Sequence, residues 1–276
     1  MAVSQKGSAM ERRLTWVAGV LAAVVILLVY LFHYLALQNL SFFTGWTVFG
    51  LLFFSLLFNL RKKLPHPPLL SSATWLRAHV ALGGLSVFVF VLHVQRWPDS
   101  GFEWFLAVLF VLVALSGMLG LLLSQRAPRR LTLLRQEVIF EQIPEYALGI
   151  KKQAEKLMIH AAASSKDSIL PDFYSQHLAG YFQVSARTWG LPGSQRRGKA
   201  LLHALAAKRR YLDQNEVGIS AELGALIETR TRLDQHALWQ GWLKLWLFVH
   251  IPLSYGLLVF VIYHLIVVHA YAMGSA

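Results

Sequence analysis

Four histidines have the spacing expected of paired metal ligands within two apolar segments. His79 and His93 are fourteen positions apart, and so are His250 and His264 near the end of the chain. Fourteen residues of α-helix return to within about 40° of the starting direction and rise by about 21 Å, so each segment presents two imidazoles on one face. Ionisable side chains are costly in hydrocarbon and mark candidate functional positions. The repeated spacing therefore predicts two stacked metal centres, each held by one histidine from each segment.

Five apolar segments must position these histidines. They lie at about 14–36, 41–60, 73–95, 103–124 and 241–270. Each is long enough to cross a bilayer core. The third and fifth carry the histidine pairs and are separated by one return helix, so both run in the same direction across the membrane. Equal spacing in parallel helices places His79 level with His250, and His93 level with His264.

The composition agrees with a membrane protein and restricts the cofactor. Of the 276 residues 56% are hydrophobic, and there is no cysteine. The absence of cysteine excludes disulfides, iron–sulfur clusters and covalently attached haem within this chain. The net charge of +12 could indicate nucleic acid. No basic stripe with interleaved stacking aromatics is present, however, and we expect no nucleic-acid partner.

The histidine pattern favours two b-type haems, each with its iron ligated by two histidines. Two axial ligands leave no open position on the iron, which suits electron transfer and not oxygen chemistry. Gly83 and Gly84 lie one turn beyond His79. Their missing side chains would leave room for a flat macrocycle, or would let two membrane helices pack closely. Arg77 and Arg96 would either pair with haem propionates or anchor the helix at the membrane edges.

The segment 125–240 differs from the rest of the chain. It contains 17 Lys and Arg and 11 Asp and Glu, and no window within it could span a bilayer. We expect a helical cytoplasmic insertion between the fourth and fifth membrane helices. The helices of 1–124 would precede it, and 241–276 would supply the fifth helix and a short outer tail. No phosphate-binding glycine-rich loop indicates a flavin or nicotinamide site.

The fold class is therefore predicted to be an all-α membrane protein, with five transmembrane helices in a bundle and the helical insertion between helices four and five. Basic residues gather at the N-terminus, after the second helix and in the insertion. Positive charge is typical of the cytoplasmic side. We expect the chain to lie in the bacterial inner (cytoplasmic) membrane, with its N-terminus and insertion in the cytoplasm and its C-terminus outside.

The helices that carry His79 and His93, and His250 and His264, resemble those of di-haem transmembrane b-type cytochromes. This group includes the membrane domain of ferric reductases and NADPH oxidases, and the cytochrome b subunits of quinol-oxidising complexes. The resemblance covers the two helices and implies that all four histidines are axial ligands in a protein that moves electrons across the membrane. The five spans, the long insertion and the lack of a following flavin and nucleotide domain depart from the reductase pattern.

These observations predict a membrane-bound di-haem cytochrome b subunit that carries electrons between a cytoplasmic-side or quinone-pool partner and an outer-side partner. Its partners would be other subunits of an oxidoreductase complex, a cytoplasmic electron carrier, an outer-side cytochrome, quinone and membrane lipid. No residue is expected to be catalytic. The alternative is a non-redox scaffold or transporter subunit with structural histidines. An enzyme in its own right would draw on His33, His66 or Glu103, which nothing in the sequence groups.

Overall fold

The computed structural model describes residues 2–36, 39–63, 71–94, 98, 100–131, 140–164, 169–183 and 193–274. This part of the chain is helical and contains no strand. Its α-helices are α1 (Ala2–Leu35), α2 (Leu40–Lys63), α3 (Ser72–His93), α4 (Gly101–Leu131), α5 (Ile143–Ser164), α6 (Ile169–Phe173), α7 (Ala179–Phe182), α8 (Ser194–Lys208) and α9 (Gln214–Gly274). Five of them are long and apolar enough to cross a membrane, which confirms the predicted class of all-α integral membrane protein.

Several helices extend beyond the apolar segments that predicted them. Helix α1 begins at Ala2 instead of residue 14, and α9 continues without a break through residue 240. Hydropathy marks where a helix can meet lipid, whereas backbone hydrogen bonding continues through polar residues of good helix propensity. The sequence around residue 240 contains no proline and a single glycine, so nothing ends the helix there.

Side-chain caps fix the start of the two helices that carry the histidine pairs. The Ser71 side chain accepts a hydrogen bond from the Thr74 backbone N–H at 3.1 Å, one turn into α3. At the start of α9, Glu216 N–H donates to the Asp213 carboxylate at 2.7 Å, and Asp213 N–H donates to the Glu216 carboxylate at 3.2 Å. This reciprocal pair is a capping box, which satisfies backbone donors that have no partner within the helix.

The chain divides into two compact units. The first comprises Met1–Leu121 and Trp246–Ala276, which contain the membrane-spanning apolar segments. Its buried apolar core is small and consists of Val48, Val89, Leu109, Phe110 and Leu257. Many other large apolar side chains are exposed on the protein surface, including Val91 and Ile266. Bilayer lipid is the medium that would cover such side chains, so a small internal core is sufficient for this unit.

The second unit comprises Leu122–Leu245 and has a core like that of a water-soluble helical domain. Leu170, Leu178, Phe182, Leu223 and Ile227 are completely buried in it.

A polar contact lies at the edge of that core. Thr231 Oγ1 donates to the carbonyl of Ile227 at 2.7 Å, so it accepts the hydrogen bond from the Tyr181 hydroxyl at 2.8 Å. Burial raises the pKa of the Tyr181 hydroxyl, which keeps the hydroxyl a neutral donor.

Helices α8 and α9 approach closely at Gly198. A Cβ atom at this position would lie 2.1 Å from Thr231 Oγ1. We expect Gly198→Ala to lower the stability of the second unit by about 1–3 kcal/mol, because Thr231 must move and its hydrogen bonds must break. Hydrogen exchange of the amides of this unit measures the effect.

Gly224 provides the matched control, since a Cβ atom there would lie 3.7 Å from Leu202, at ordinary contact distance. Gly224→Ala should be neutral or stabilising by up to about 1 kcal/mol, because alanine is the better helix former. Equal rates of amide hydrogen exchange in Gly198→Ala and Gly224→Ala would contradict the close packing inferred at Gly198.

Candidate functional site

The structure brings His79 of α3 and His250 of α9 together. Their ring centres are 6.4 Å apart and the ring planes are nearly perpendicular, at 87°. A metal ion bound between two imidazole nitrogens at bond lengths of about 2.0–2.1 Å holds the ring centres roughly 6 Å apart. The spacing of His79 and His250 therefore suits a single metal ion placed between them, with one bond to each ring.

A cavity of about 560 Å³ surrounds this pair and is lined almost entirely by apolar groups. Gly83 and Gly84 both line it, and beyond the neighbouring residues of α3 nothing that the structure describes lies within 4 Å of the place that a Cβ atom would take at either position. Gly117 of α4 lines it from another side. Cofactor sites in proteins have this size and are mostly apolar with few polar groups. The cavity has the volume and the apolar lining to hold a flat, largely apolar cofactor in reach of the two imidazoles.

His93 and His264 line a second cavity of about 550 Å³. Glu103 and His269 also line this cavity, so it is the more polar of the two. Helical rise places the two histidine levels about 21 Å apart. The structure thus contains two cavities of nearly equal volume, and each is lined by one of the histidine pairs that the sequence spacing predicts.

Phe110 and Leu257 line both cavities and separate them. Both are buried, with exposed fractions of 5% and 1%. The ring of Phe110 stacks on Phe90, with ring centres 4.0 Å apart and planes inclined by 13°. Closely packed apolar side chains therefore lie between the two cavities.

The Nδ1 atoms of His79 and His93 are held by a neighbouring helix. His79 Nδ1 donates to the backbone carbonyl of Ser55 at 3.0 Å. Thr44 Oγ1 donates to the carbonyl of Leu40 at 2.8 Å, so it accepts from His93 Nδ1 at 2.9 Å. A proton fixed on Nδ1 leaves the lone pair on Nε2, which is the usual state of a metal-ligating histidine.

His250 has the same arrangement, whereas two other histidines do not. Ser116 Oγ of α4 donates to the carbonyl of Val113, so it accepts from His250 Nδ1 at 2.7 Å. His33 and His269 instead bond through Nδ1 to the carbonyl four residues back in their own helix, both at 2.8 Å. The hydrogen bond to another helix therefore distinguishes three of the four predicted ligands from these two histidines.

The residues that hold these imidazoles do not stand out in the sequence. Helix α4 was expected to serve only as a return helix, yet it supplies Ser116. Thr44, Ser55 and Trp246 were likewise not singled out. The available signal was a hydroxyl side chain within an apolar helix, but such side chains also bond to their own helix carbonyls, and the sequence does not show which neighbour they face.

The structure describes one of the two arginines that were predicted to flank the histidines. Arg77 is half-buried and donates from Nη2 to the hydroxyl of Thr74 at 3.1 Å. Among the described residues it does not line either cavity. Arg96 lies outside the described residues. A role for either arginine in binding propionates stays a prediction.

No group of three or more His, Asp or Glu residues in the described ranges is arranged to hold a metal ion. In the part of the chain that the structure describes, the opposed histidines therefore offer two protein ligands and no third at this place. Comparison of the chain with protein-family models, with curated proteins and with solved structures gives no match. Fold and composition define an integral membrane protein of helical class, and the histidine pairs are its candidate site.

Proposed function

We propose that the chain is a membrane-bound di-haem cytochrome b subunit that carries electrons across the membrane. The observation that carries the proposal is the opposed pair of His79 and His250, whose ring centres are 6.4 Å apart inside an apolar cavity. A second cavity with His93 and His264 supports a second haem. Each haem b iron would take one Nε2 atom from each helix.

The haems supply one-electron chemistry, and the chain supplies ligation, orientation and a dry environment. His79, His93, His250 and His264 would bind the iron and orient the cofactors. Ser55, Thr44 and Ser116 hold Nδ1 protons, and Gly83 and Gly84 leave space beside the macrocycle.

The apolar lining of the cavity of His79 and His250 would keep water away from the cofactor. Two histidine ligands for each iron would leave no open position for oxygen chemistry, so the chain would serve as an electron-transfer subunit and not as the catalytic subunit of an oxidoreductase complex.

The basic residues support a location in the bacterial inner membrane, with the N-terminus and the second unit in the cytoplasm and the C-terminus outside. Electrons would pass between a cytoplasmic carrier or the quinone pool and an outer-side partner such as a cytochrome. The second unit offers a water-soluble surface for the cytoplasmic partner, and lipid surrounds the membrane helices.

An optical spectrum of the detergent-purified chain, oxidised and then reduced with dithionite, tests the proposal. Extracted haem is quantified against protein. We expect sharp bands of a six-coordinate b-type cytochrome and two haems per chain. A colourless protein, made with ample haem supply, would contradict the proposal and favour a non-redox scaffold or transporter subunit.

A further inference from the structure

Helix α4 holds the ring of His250 through Ser116. The Ser116 hydroxyl gives its proton to the carbonyl of Val113 at 2.8 Å, so it must accept at His250, whose Nδ1 lies 2.7 Å away. The imidazole is thereby kept with Nδ1 protonated and Nε2 free. Hydrogen bonds of this kind orient a ligating histidine and make it the more basic ligand.

Trp246 holds the same ring from its own helix. It precedes His250 by one turn of α9, and its ring stacks on the imidazole with centres 5.3 Å apart and planes inclined by 22°. The indole N–H donates to the backbone carbonyl of Ser116 at 2.7 Å. Ser116 therefore contacts both aromatic rings, one through its hydroxyl and one through its carbonyl.

The sequence of α4 makes room for this arrangement. A Cβ atom at position 120 would lie 1.9 Å from the indole of Trp246, so the missing side chain of Gly120 leaves the space that the indole fills. A Cβ atom at Gly117 would lie 3.6 Å from the imidazole of His250. The rings of Trp246 and His250 thus pack against one face of α4, at Ser116, Gly117 and Gly120.

We propose that Ser116 and Trp246 are positioning residues: Ser116 sets the reduction potential of the site between His79 and His250, and Trp246 fixes the orientation of the His250 ring. This inference rests on the proposed function. The opposite ligand, His79, donates to a backbone carbonyl that no side-chain substitution removes. His250 is consequently the ligand through which a side chain of this site can change the reduction potential.

The direction of the effect follows from charge. An acceptor on Nδ1–H increases the electron density that Nε2 gives to the iron, which stabilises the ferric state more than the ferrous state. Removal of the acceptor should therefore raise the potential. A tenfold change in the relative affinity of the two oxidation states corresponds to about 59 mV for a one-electron couple.

Redox titration of the purified chain, followed by its optical bands, is the first measurement. Ser116→Ala should raise one of the two midpoint potentials by about 59 mV and leave the other unchanged. Thr44→Val should shift only the other potential, because Thr44 holds His93 in the second cavity. Ser254→Ala is the matched control, since Ser254 lines the same cavity but bonds to the carbonyl of His250 and not to its ring.

Electron paramagnetic resonance of the oxidised protein is the second measurement. The spectrum of a low-spin haem depends on the angle between its two imidazole planes, which is 87° for His79 and His250. Trp246→Phe removes the indole hydrogen bond and should change the anisotropy of one haem signal only.

Ser116→Thr keeps the hydroxyl and, in the redox titration, should give the wild-type potential.

The inference is overturned if Ser116→Ala keeps both wild-type potentials, or if Ser254→Ala shifts them as Ser116→Ala does, while two haems are retained. Equal shifts of both potentials in Ser116→Ala would overturn it as well, because they would indicate a general change in the bundle. Failure of the proposed function is distinct, since the wild-type chain would then contain no haem.

Discussion

Replacement of His79 by leucine is expected to lower the haem content from two per chain to one. The pair formed by His79 and His250 lies in one cavity, and the pair formed by His93 and His264 lies in the other, so the loss of one ligand should empty only its own site. Leucine supplies apolar volume but no ligand. Haem extraction and the reduced optical spectrum measure the change, and the remaining signal should keep its wild-type potential.

His269→Leu is the informative control for this experiment. His269 lines the cavity of His93 and His264, but its Nδ1 bonds to the carbonyl of Leu265 in its own helix. This variant should retain two haems. Retention of both haems by His79→Leu, or loss of one by His269→Leu, would show that the ligand pairs are assigned incorrectly.

A large loss of stability is expected for Asp234→Ala in the second unit. Asp234 accepts from Arg230 Nε at 3.1 Å, and the two side chains are 15% and 5% exposed. Removal of the carboxylate leaves a buried guanidinium without its counter-charge, which typically costs about 3–5 kcal/mol. Hydrogen exchange of the amides in this unit, measured in the full chain, should show faster opening.

Two further variants separate the buried charge from a general effect. Arg230→Met combined with Asp234→Ala should recover much of the loss, because no unpaired charge remains buried. Glu228→Ala breaks a similar pair with Arg232, but both of these side chains are more than half exposed, at 54% and 52%. Its effect should be less than about 1 kcal/mol. Equal effects of Glu228→Ala and Asp234→Ala would contradict the argument.

The paired levels of the histidines could be predicted because helical geometry is regular. Fourteen residues fix both the direction and the rise between His79 and His93, and again between His250 and His264. Parallel helices then bring equal levels together without further information. The five membrane helices could be predicted for a related reason, since bilayer thickness sets a minimum length of apolar sequence.

The contacts that hold the imidazoles could not be predicted in the same way. The hydrogen bonds from His250 to Ser116 and from His93 to Thr44 depend on how neighbouring helices are rotated about their axes. Rotation is set by packing between helices, and in α3 the apolar residues are distributed on all sides, so the sequence pattern gives no preferred face. For the same reason the sequence does not show that the indole of Trp246 packs directly against Gly120.

The two cavities share a wall, and this limits how the sequence can change over evolutionary time. Phe110 and Leu257 each line both cavities, so an altered volume at either position changes the shape of two sites at once. Val91 and Ile266, at 67% and 62% exposed, meet no such restriction. Sequence drift should therefore concentrate on the outward faces of the helices, while the divide between the sites can change only through coordinated substitutions that preserve both volumes.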